Sequence, residues 1–304
     1  MQFVDNTVAV IILDYNKPEL TSRCLSAVVT HNRVKIYLVE NGYVSAEEFQ
    51  AKNFIFVRNH VNSFSSGMNA GIRRAAKDGA EYFVLLNNDA IVCKYAIELL
   101  VDSLRYHNDI GLVSPNRGFS FGLIDSTNLK TCEDVKTRIN QYDYTEPKLK
   151  FVPMITGFCM CTSARVLRKV GMMDEDFIFG KEDDEFSLRM IQHGFNLAEV
   201  QNSVVVHRVS SNTNFSNTKD ITFLLRNTGI GRALLIRKVH SSPFKEFAGL
   251  LSDIFMVSGK SIIFYHKFSF GFVIHGLLGF GRGLLKPVHR PPQVEYSEKT
   301  PDKV

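Results

Sequence analysis

The feature that most constrains this chain is a repeated exchange of two periodicities over its first 107 residues. "VAVIILDYN" (8–16) opens with an unbroken apolar, β-branched run, the composition of a strand buried on both faces. "PELTSRCLSAVV" (18–29) follows, with Pro18 at a helix start and Leu20, Cys24, Ala27 and Val28 at helical spacing. "VKIYLVEN" (34–41) and "NFIFVRN" (53–59) read as two more strands. "SSGMNAGIRRAAKDGAEY" (65–82) reads as a helix stopped at Gly79. "EYFVLLNNDA" is a fourth strand and "KYAIELLVDSLRYH" (94–107) another helix. Strands that alternate with helices imply an α/β fold with a doubly wound, mostly parallel sheet, because the crossover between parallel strands is right-handed.

Such a sheet fixes where chemistry belongs. Asn87, Asn88 and Asp89 close the fourth strand, and ligands of open α/β sheets bind just outside the carboxyl ends of strands. A plain helix cap is the competing role for Asn88 or Asp89. Two clusters follow in the second half. "KEDDEFSLRMIQHG" sets Glu182, Asp183, Asp184 and Glu185 at a helix start, with Phe186, Met190 and Ile191 expected inward. Carboxylates there gain from the helix macrodipole as a solvated first turn. Crowded together, they also perturb one another's pKa, which suits a general base. "VVVH" ends a strand in His207, a position open to a structural or a ligand role.

Taken in order, these pieces resemble the family 2 glycosyltransferases, nearest to the bacterial rhamnosyltransferase-like and galactofuranosyltransferase-like branch. The resemblance runs over about residues 7–240 and rests on "VIILDYN", "LVENG", "NHVNSFSSGMNAGIRRA", "LLNNDA", "GFCMCTSARVLRKVGMMDEDFIFGKEDDEFSLRM" and "VVVHRVSSNT". It implies a GT-A fold that binds a nucleotide diphosphosugar (UDP- or dTDP-linked) and a divalent metal, Mg²⁺ or Mn²⁺. Carried over by residue, it implies that Asp14, Tyr15, Glu40, Asn62, Asn69, Asn87 and Asn88 face the nucleotide sugar. Asp89 and His207 would hold the metal, Asp183 would be the base of an inverting transfer, and Glu182 and Asp184 would lie at the acceptor. Four departures stand out. Phe64 occupies a place where the family often has Gly, and Glu40 one where it has Asp. The last acid of the Glu-Asp-x-Asp pattern is Glu185, and Asp184 is a rival base one residue from Asp183. Residues 116–152 follow no family pattern and are expected as loops over the acceptor site.

Composition bounds the rest. Hydrophobic residues make up 45% and charged residues 22%, which fits an ordinary globular protein. Cys24, Cys93, Cys132, Cys159 and Cys161 show neither a disulfide framework nor the further ligands a zinc site needs, so buried thiols in a reducing compartment are expected. No basic leader precedes the short apolar run Val8–Leu13, so no signal peptide is expected. No run of about 18 uncharged apolar residues occurs, so no spanning helix is expected.

The net charge of +5 is unevenly spread. From Arg226 onward the chain has 12 basic and 5 acidic residues, a balance of +7, which leaves 24 basic and 26 acidic before it. A main domain without a basic footprint excludes nucleic acid as a partner. The expected division is a catalytic domain over 1–225 (nucleotide half 1–115, acceptor half 116–225), a basic amphipathic helical extension over 226–290 and a disordered tail over 291–304. The extension reads either as helices packed on the core or as a dimer contact, or as a peripheral anchor on the inner face of the cytoplasmic membrane, serving a lipid-linked glycan acceptor, with side chains such as Phe270, Phe272 and Leu285 expected in the interface and Arg282, Lys286 and Arg290 at anionic lipid. Two rival functions are a sugar nucleotidyltransferase and a non-catalytic sugar-nucleotide-binding subunit. The first needs a Gly-rich basic loop where "LDYNKPEL" stands. The acidic cluster and His207 argue against the second.

Overall fold

The computed structural model describes residues 8–28, 34–42, 49, 53–116, 145–207, 217–265 and 270–296. Its frame is an eight-stranded sheet. Strands β1 (Val8–Asp14), β2 (Val34–Glu40), β3 (Ile55–Arg58) and β4 (Tyr82–Asn87) form its parallel half, in the order β3-β2-β1-β4. After the short β5 (Ala90–Val92), the sheet continues through β6 (Ile110–Pro115), β7 (Leu149–Phe151), β8 (Cys159–Ser163) and β9 (Asn196–Val200). The full order is β3-β2-β1-β4-β8-β6-β9-β7, with β8 antiparallel to both neighbours. The last strand, β10 (Val205–His207), leaves the sheet and pairs antiparallel with β5.

Alternation along β1 explains the double winding. Val8, Val10 and Ile12 enter one apolar layer, and Ala9, Ile11 and Leu13 enter the other. The first layer is covered by α1 (Pro18–Val28) and α3 (Ala96–Tyr106). The second is covered by α2 (Phe64–Lys77), α4 (Ala164–Val170) and α5 (Glu182–Gln192). Cys159 and Cys161 share the first layer, as period-two spacing requires. With Cys24 and Cys93 they are free and buried, and burial pushes the Cys159 thiol up to about 12. Cys132 lies outside the described residues.

The expected boundary at residue 225 falls inside one continuous helix, α6 (Thr218–Lys238). It is followed by α7 (Pro243–Tyr265) and α8 (Gly271–Leu285), which pack on it. Helices α6 and α8 cross on glycines: a Cβ on Gly229 would run into the Gly276 carbonyl, and one on Gly279 into the Arg226 carbonyl. Arg232 ties α7 to α6 through Glu246 at 2.9 Å and Asp253 at 2.8 Å. Leu234, Leu235 and Val239 pack against Phe177, which joins the bundle to the catalytic body. Among the described residues, no helix is long and apolar enough to cross a membrane.

Three expectations are corrected here. Ile191 is 43% exposed, because α5 turns only Phe186 and Met190 fully inward. Phe272 is completely buried between α6 and α7, so it cannot face lipid. Residues 291–296 are held rather than loose. The Pro292 carbonyl accepts from the Met172 amide at 2.9 Å, the Tyr296 hydroxyl donates to the Ala164 carbonyl, and the Arg168 guanidinium lies over the Tyr296 ring. The remaining tail, 297–304, lies outside the described residues, as do 117–144 of the expected acceptor loops.

Candidate active site

Strands β1, β2 and β4 run in register, so Asp14, Glu40 and Asn87 end at neighbouring positions on one edge. Asp14 is buried, and its Oδ1 accepts from the Thr21 hydroxyl and from Asn88 Nδ2. The Asn88 amide also donates to Thr21 Oγ1 at 2.9 Å. Asn88 thus locks the Asp14 carboxylate, while Asp14 Oδ2 stays buried with no hydrogen-bond partner. At the mouth, Tyr15 is 47% exposed and its hydroxyl accepts from Asn62 Nδ2 at 3.2 Å, so these two predicted residues meet. Glu40 pairs with Arg58 at 3.5 Å. Asn41 and Asn59, which the sequence did not single out, join side chains beside it at 2.6 Å.

Asn69 is fully buried, and its amide holds the Met173 backbone at both ends and the Glu175 carboxylate at 2.9 Å. These bonds clamp α2 to the 172–175 loop. Phe64, in the place of the family's glycine, opens α2 and donates its amide to the Ile178 carbonyl.

The β5–β10 ladder sets Ala90 opposite His207, which brings His207 Nε2 to 3.1 Å from Asp89 Oδ1. The imidazole stacks on Phe158, with ring centroids 4.9 Å apart and planes 16° apart. Asp89 and His207 are 118 positions apart in the chain, and antiparallel pairing is what unites them.

At the start of α5 the four carboxylates take four different environments. Asp183 Oδ2 accepts from the Gly157 amide and Oδ1 from the Asp184 amide, each at 3.0 Å. Asp184 pairs with Lys181 at 3.2 Å. Glu185 is buried against Arg189 at 2.6 Å, and Arg189 also donates to the Val170 and Met172 carbonyls, so this acid is a structural anchor. Glu182 Oε2 is buried without a partner. Desolvation, with the Asp183 charge second, pushes Glu182 up to about 8. Desolvation and Asp184 also raise Asp183, against the two amides that favour its anion. The environments therefore separate the two groups. Burial without a donor at Oε2 favours the neutral form of Glu182, and two N–H donors favour the anion of Asp183.

The turn that presents these acids is backbone-constrained. Lys181 adopts φ 75° and Gly180 φ 84°, the left-handed region that disfavours side chains. The Gly180 carbonyl lies where a Cβ on Gly231 of α6 would sit, so the bundle abuts the turn directly. Phe179 and Phe223 stand at its edge, partly exposed, with ring centroids 5.9 Å apart. Neither aromatic was legible as functional in the sequence, because α6 supplies one and the loop the other.

One short segment joins the two constellations. The Gly157 amide holds Asp183, the Phe158 ring holds His207, and the Phe158 carbonyl accepts from the Asn87 amide at 2.9 Å. A Cβ on Gly157 would stand 3.4 Å from the Asp183 side chain, an ordinary contact. Its sequence signal was a Gly-Phe pair just before a buried strand.

A model of the family described as glycosyltransferase like family 2 matches residues 5–227. The chain belongs to this family. Its fold, a mixed sheet with flanking helices, is GT-A. Uncharacterised proteins of Mycobacterium tuberculosis and Mycobacterium bovis are 28% identical over 214 residues, covering 67% of this family 2 chain and 73% of theirs. Two solved structures share the fold. A mannosyltransferase from Pyrobaculum calidifontis, in complex with GDP-Man and Mn²⁺, has a TM-score of 0.53 at 14% identity, covering 93% of this chain and 75% of that one. GalNAc-T7 with UDP, GalNAc and Mn²⁺ has a TM-score of 0.51 at 16% identity, covering 82% of this chain and 54% of that one.

The donor set of this family 2 chain fits a divalent cation. Asp89 offers a carboxylate and His207 an imidazole at one point, a mixed O/N pair that Mn²⁺ accepts. Among the described residues, no cluster of three or more His, Cys, Asp or Glu side chains could hold a metal.

Proposed function

We propose that the protein is an inverting glycosyltransferase that moves a sugar from a nucleotide diphosphosugar to a hydroxyl of a bacterial surface glycan. The single observation that carries this reading is the Gly157–Phe158 segment, which sets the Asp183 base on one side and the Asp89–His207 pair on the other. In the reaction, the acceptor oxygen bonds to the anomeric carbon as the bond from that carbon to the diphosphate oxygen breaks. The acceptor proton passes to Asp183, and a base placed this way contributes about 10²–10⁴-fold in rate. A cation held by Asp89 and His207 would supply positive charge against the leaving diphosphate. Asp14 Oδ2, buried and unpartnered, offers an acceptor for a hydroxyl or N–H of the nucleoside, and Tyr15 with Asn62 forms the rim beside it. Glu182 and Asp184 flank the acceptor hydroxyl, and Phe179 with Phe223 offers apolar faces to a pyranose or furanose ring.

The sugar belongs to the rhamnose, galactofuranose or hexose class, on UDP or dTDP, and the acceptor is lipid-linked. The test is a melting screen of the full chain with UDP, dTDP and GDP and their sugars, with and without Mn²⁺, followed by nucleotide release in the presence of acceptor glycans. A ligand at 100 times its Kd raises stability by about 2.7 kcal/mol. If no nucleotide diphosphate shifts the melt under either condition, the reading fails. If one binds but is never released by turnover, the protein is a sugar-nucleotide-binding subunit.

A further inference from the structure

Helix α7 has an apolar face broader than the bundle covers. Leu250 and Ile254 enter the bundle core, while about a quarter-turn round the helix Phe244 is 84% exposed, Leu251 47% and Phe255 79%. These three lie at i, i+7 and i+11, one stripe along about three turns. Helix α8 repeats the arrangement. Its glycine side faces α6, and its outer side carries Ile274, Leu278 and Leu285, the last 86% exposed. Phe247 of α7 and Phe280 of α8 touch edge to face at 5.8 Å, which joins the two helices into one surface. A water-soluble bundle has no use for the apolar surface that these two helices leave uncovered.

The charge around this surface decides its occupant. Between residues 239 and 294 the only carboxylates are Glu246 and Asp253, and both are engaged inward by Arg232. Lys245 and Arg282 on these helices, and Arg290 just beyond α8, are exposed, while the two carboxylates are taken by Arg232. Apolar side chains ringed by unopposed cations complement an anionic lipid interface, where rings and aliphatic chains enter the acyl boundary and ammonium and guanidinium groups meet headgroup phosphates. With no helix apolar and long enough to span among the described residues, the helices would lie in the interface plane.

We infer that the outer face of α7 and α8 docks the protein on an anionic bilayer, with Phe244, Phe255 and Leu285 inserted. Because α6 of the same bundle abuts Gly180, docking would hold the acidic turn at a fixed height over the membrane. That consequence rests on the glycosyl-transfer reading; the docking itself does not.

The test is flotation of the full chain with phosphatidylcholine vesicles and with vesicles containing phosphatidylglycerol, at low and high salt. Binding to the anionic vesicles, weakened by salt, is expected. Lys245→Ala and Arg282→Ala should each weaken it about fivefold. The double variant Phe244→Ser/Phe255→Ser should lose flotation with its melting midpoint unchanged. Absence from both lipid fractions at low salt overturns the inference, as does a double variant that floats like the parent. Sedimentation covers the remaining occupant. A dimer that the double variant dissolves, without any lipid binding by the parent, makes the face a contact between two copies and overturns the docking. Nucleotide-induced melting shifts read the transferase assignment separately, so either can fail alone.

Discussion

The nucleotide edge and the acidic turn meet at Gly157–Phe158 but are built in opposite ways. At the nucleotide edge, Asp14, Thr21 and Asn88 are fixed by one another within elements that are complete by residue 92. At the acidic turn, the loop before α5 is fixed from far along the chain. Lys238 of α6 bonds to both Asp174 and Asp176, and His289 donates its amide to Asp176 across 113 positions. The Lys286 ammonium reaches the Asp176 carbonyl as well. On the proposed reading, donor recognition would rest on the sheet edge and α1, whereas placing the base would require the C-terminal bundle to dock. Variants that separate the two functions can break or sharpen that contrast.

The largest effect is expected at Asp183. Asp183→Asn keeps one of the two amide contacts, because its NH₂ cannot accept from an N–H, and it cannot take a proton, so turnover should fall by about 10²–10⁴-fold with nucleotide binding unchanged. Asp184→Asn, which removes only the pair with Lys181, should cost far less. The reverse ranking in initial-rate measurements would move the base to Asp184.

Lys238→Met is the direct test of the bundle's role. It strands two buried carboxylates, a loss of about 3–5 kcal/mol for breaking a buried pair. The melting midpoint should drop, and kcat should fall more than nucleotide affinity, because the acidic turn loosens while Asp14 and Asn88 stay tied. Lys238→Arg should restore part of kcat. Equal losses in kcat and nucleotide affinity would mean that the two regions are not independent.

Asp89→Ala probes the other side. It should abolish the cation-dependent part of nucleotide stabilisation, about 2.7 kcal/mol at 100 times Kd, with little change in the melt without ligand. Cation-dependent binding that survives in this variant would place the metal elsewhere.

The same contrast decides what the sequence could disclose. The strand ends were legible because unbroken apolar, β-branched runs mark buried strands, and Asp14, Asn87, Asn88 and Asp89 lie where such runs stop. The resemblance that put Asn69 by the nucleotide could not disclose its bonds to Met173 and Glu175, which depend on how α2 meets a distant loop. At the acidic turn, adjacency revealed the carboxylates but not their partners. Gly157, Lys238 and His289 come from elements whose approach depends on tertiary packing, and no local pattern encodes it. The extension's net charge and apolar content were visible, but Phe272 could be told from Phe270 only once the glycine crossing had fixed which side of α8 is inward.

The smallest effect is a pH dependence with opposite signs at two ends of one turn. Burial alone would raise Asp176, but hydrogen bonds from His289 and Lys238 outweigh it and hold this carboxyl at about 2. Its contribution is therefore present above the ordinary value of 3.8 and is lost as pH falls toward 2. Glu182 is raised from 4.5 to about 8, so the folded state binds its proton more tightly than the unfolded chain does. That contribution is full below 4.5 and declines as pH rises through 8. Glu182→Gln removes the titrating group while keeping a neutral side chain of the same shape. Melts from pH 5 to 9 should then show the parent losing stability on the alkaline side and the variant losing less, with the two curves converging near pH 5. Parallel curves across that range would mean that Glu182 is ionised in the folded protein, and the assignment of the proton to Glu182 and the charge to Asp183 would have to be reversed.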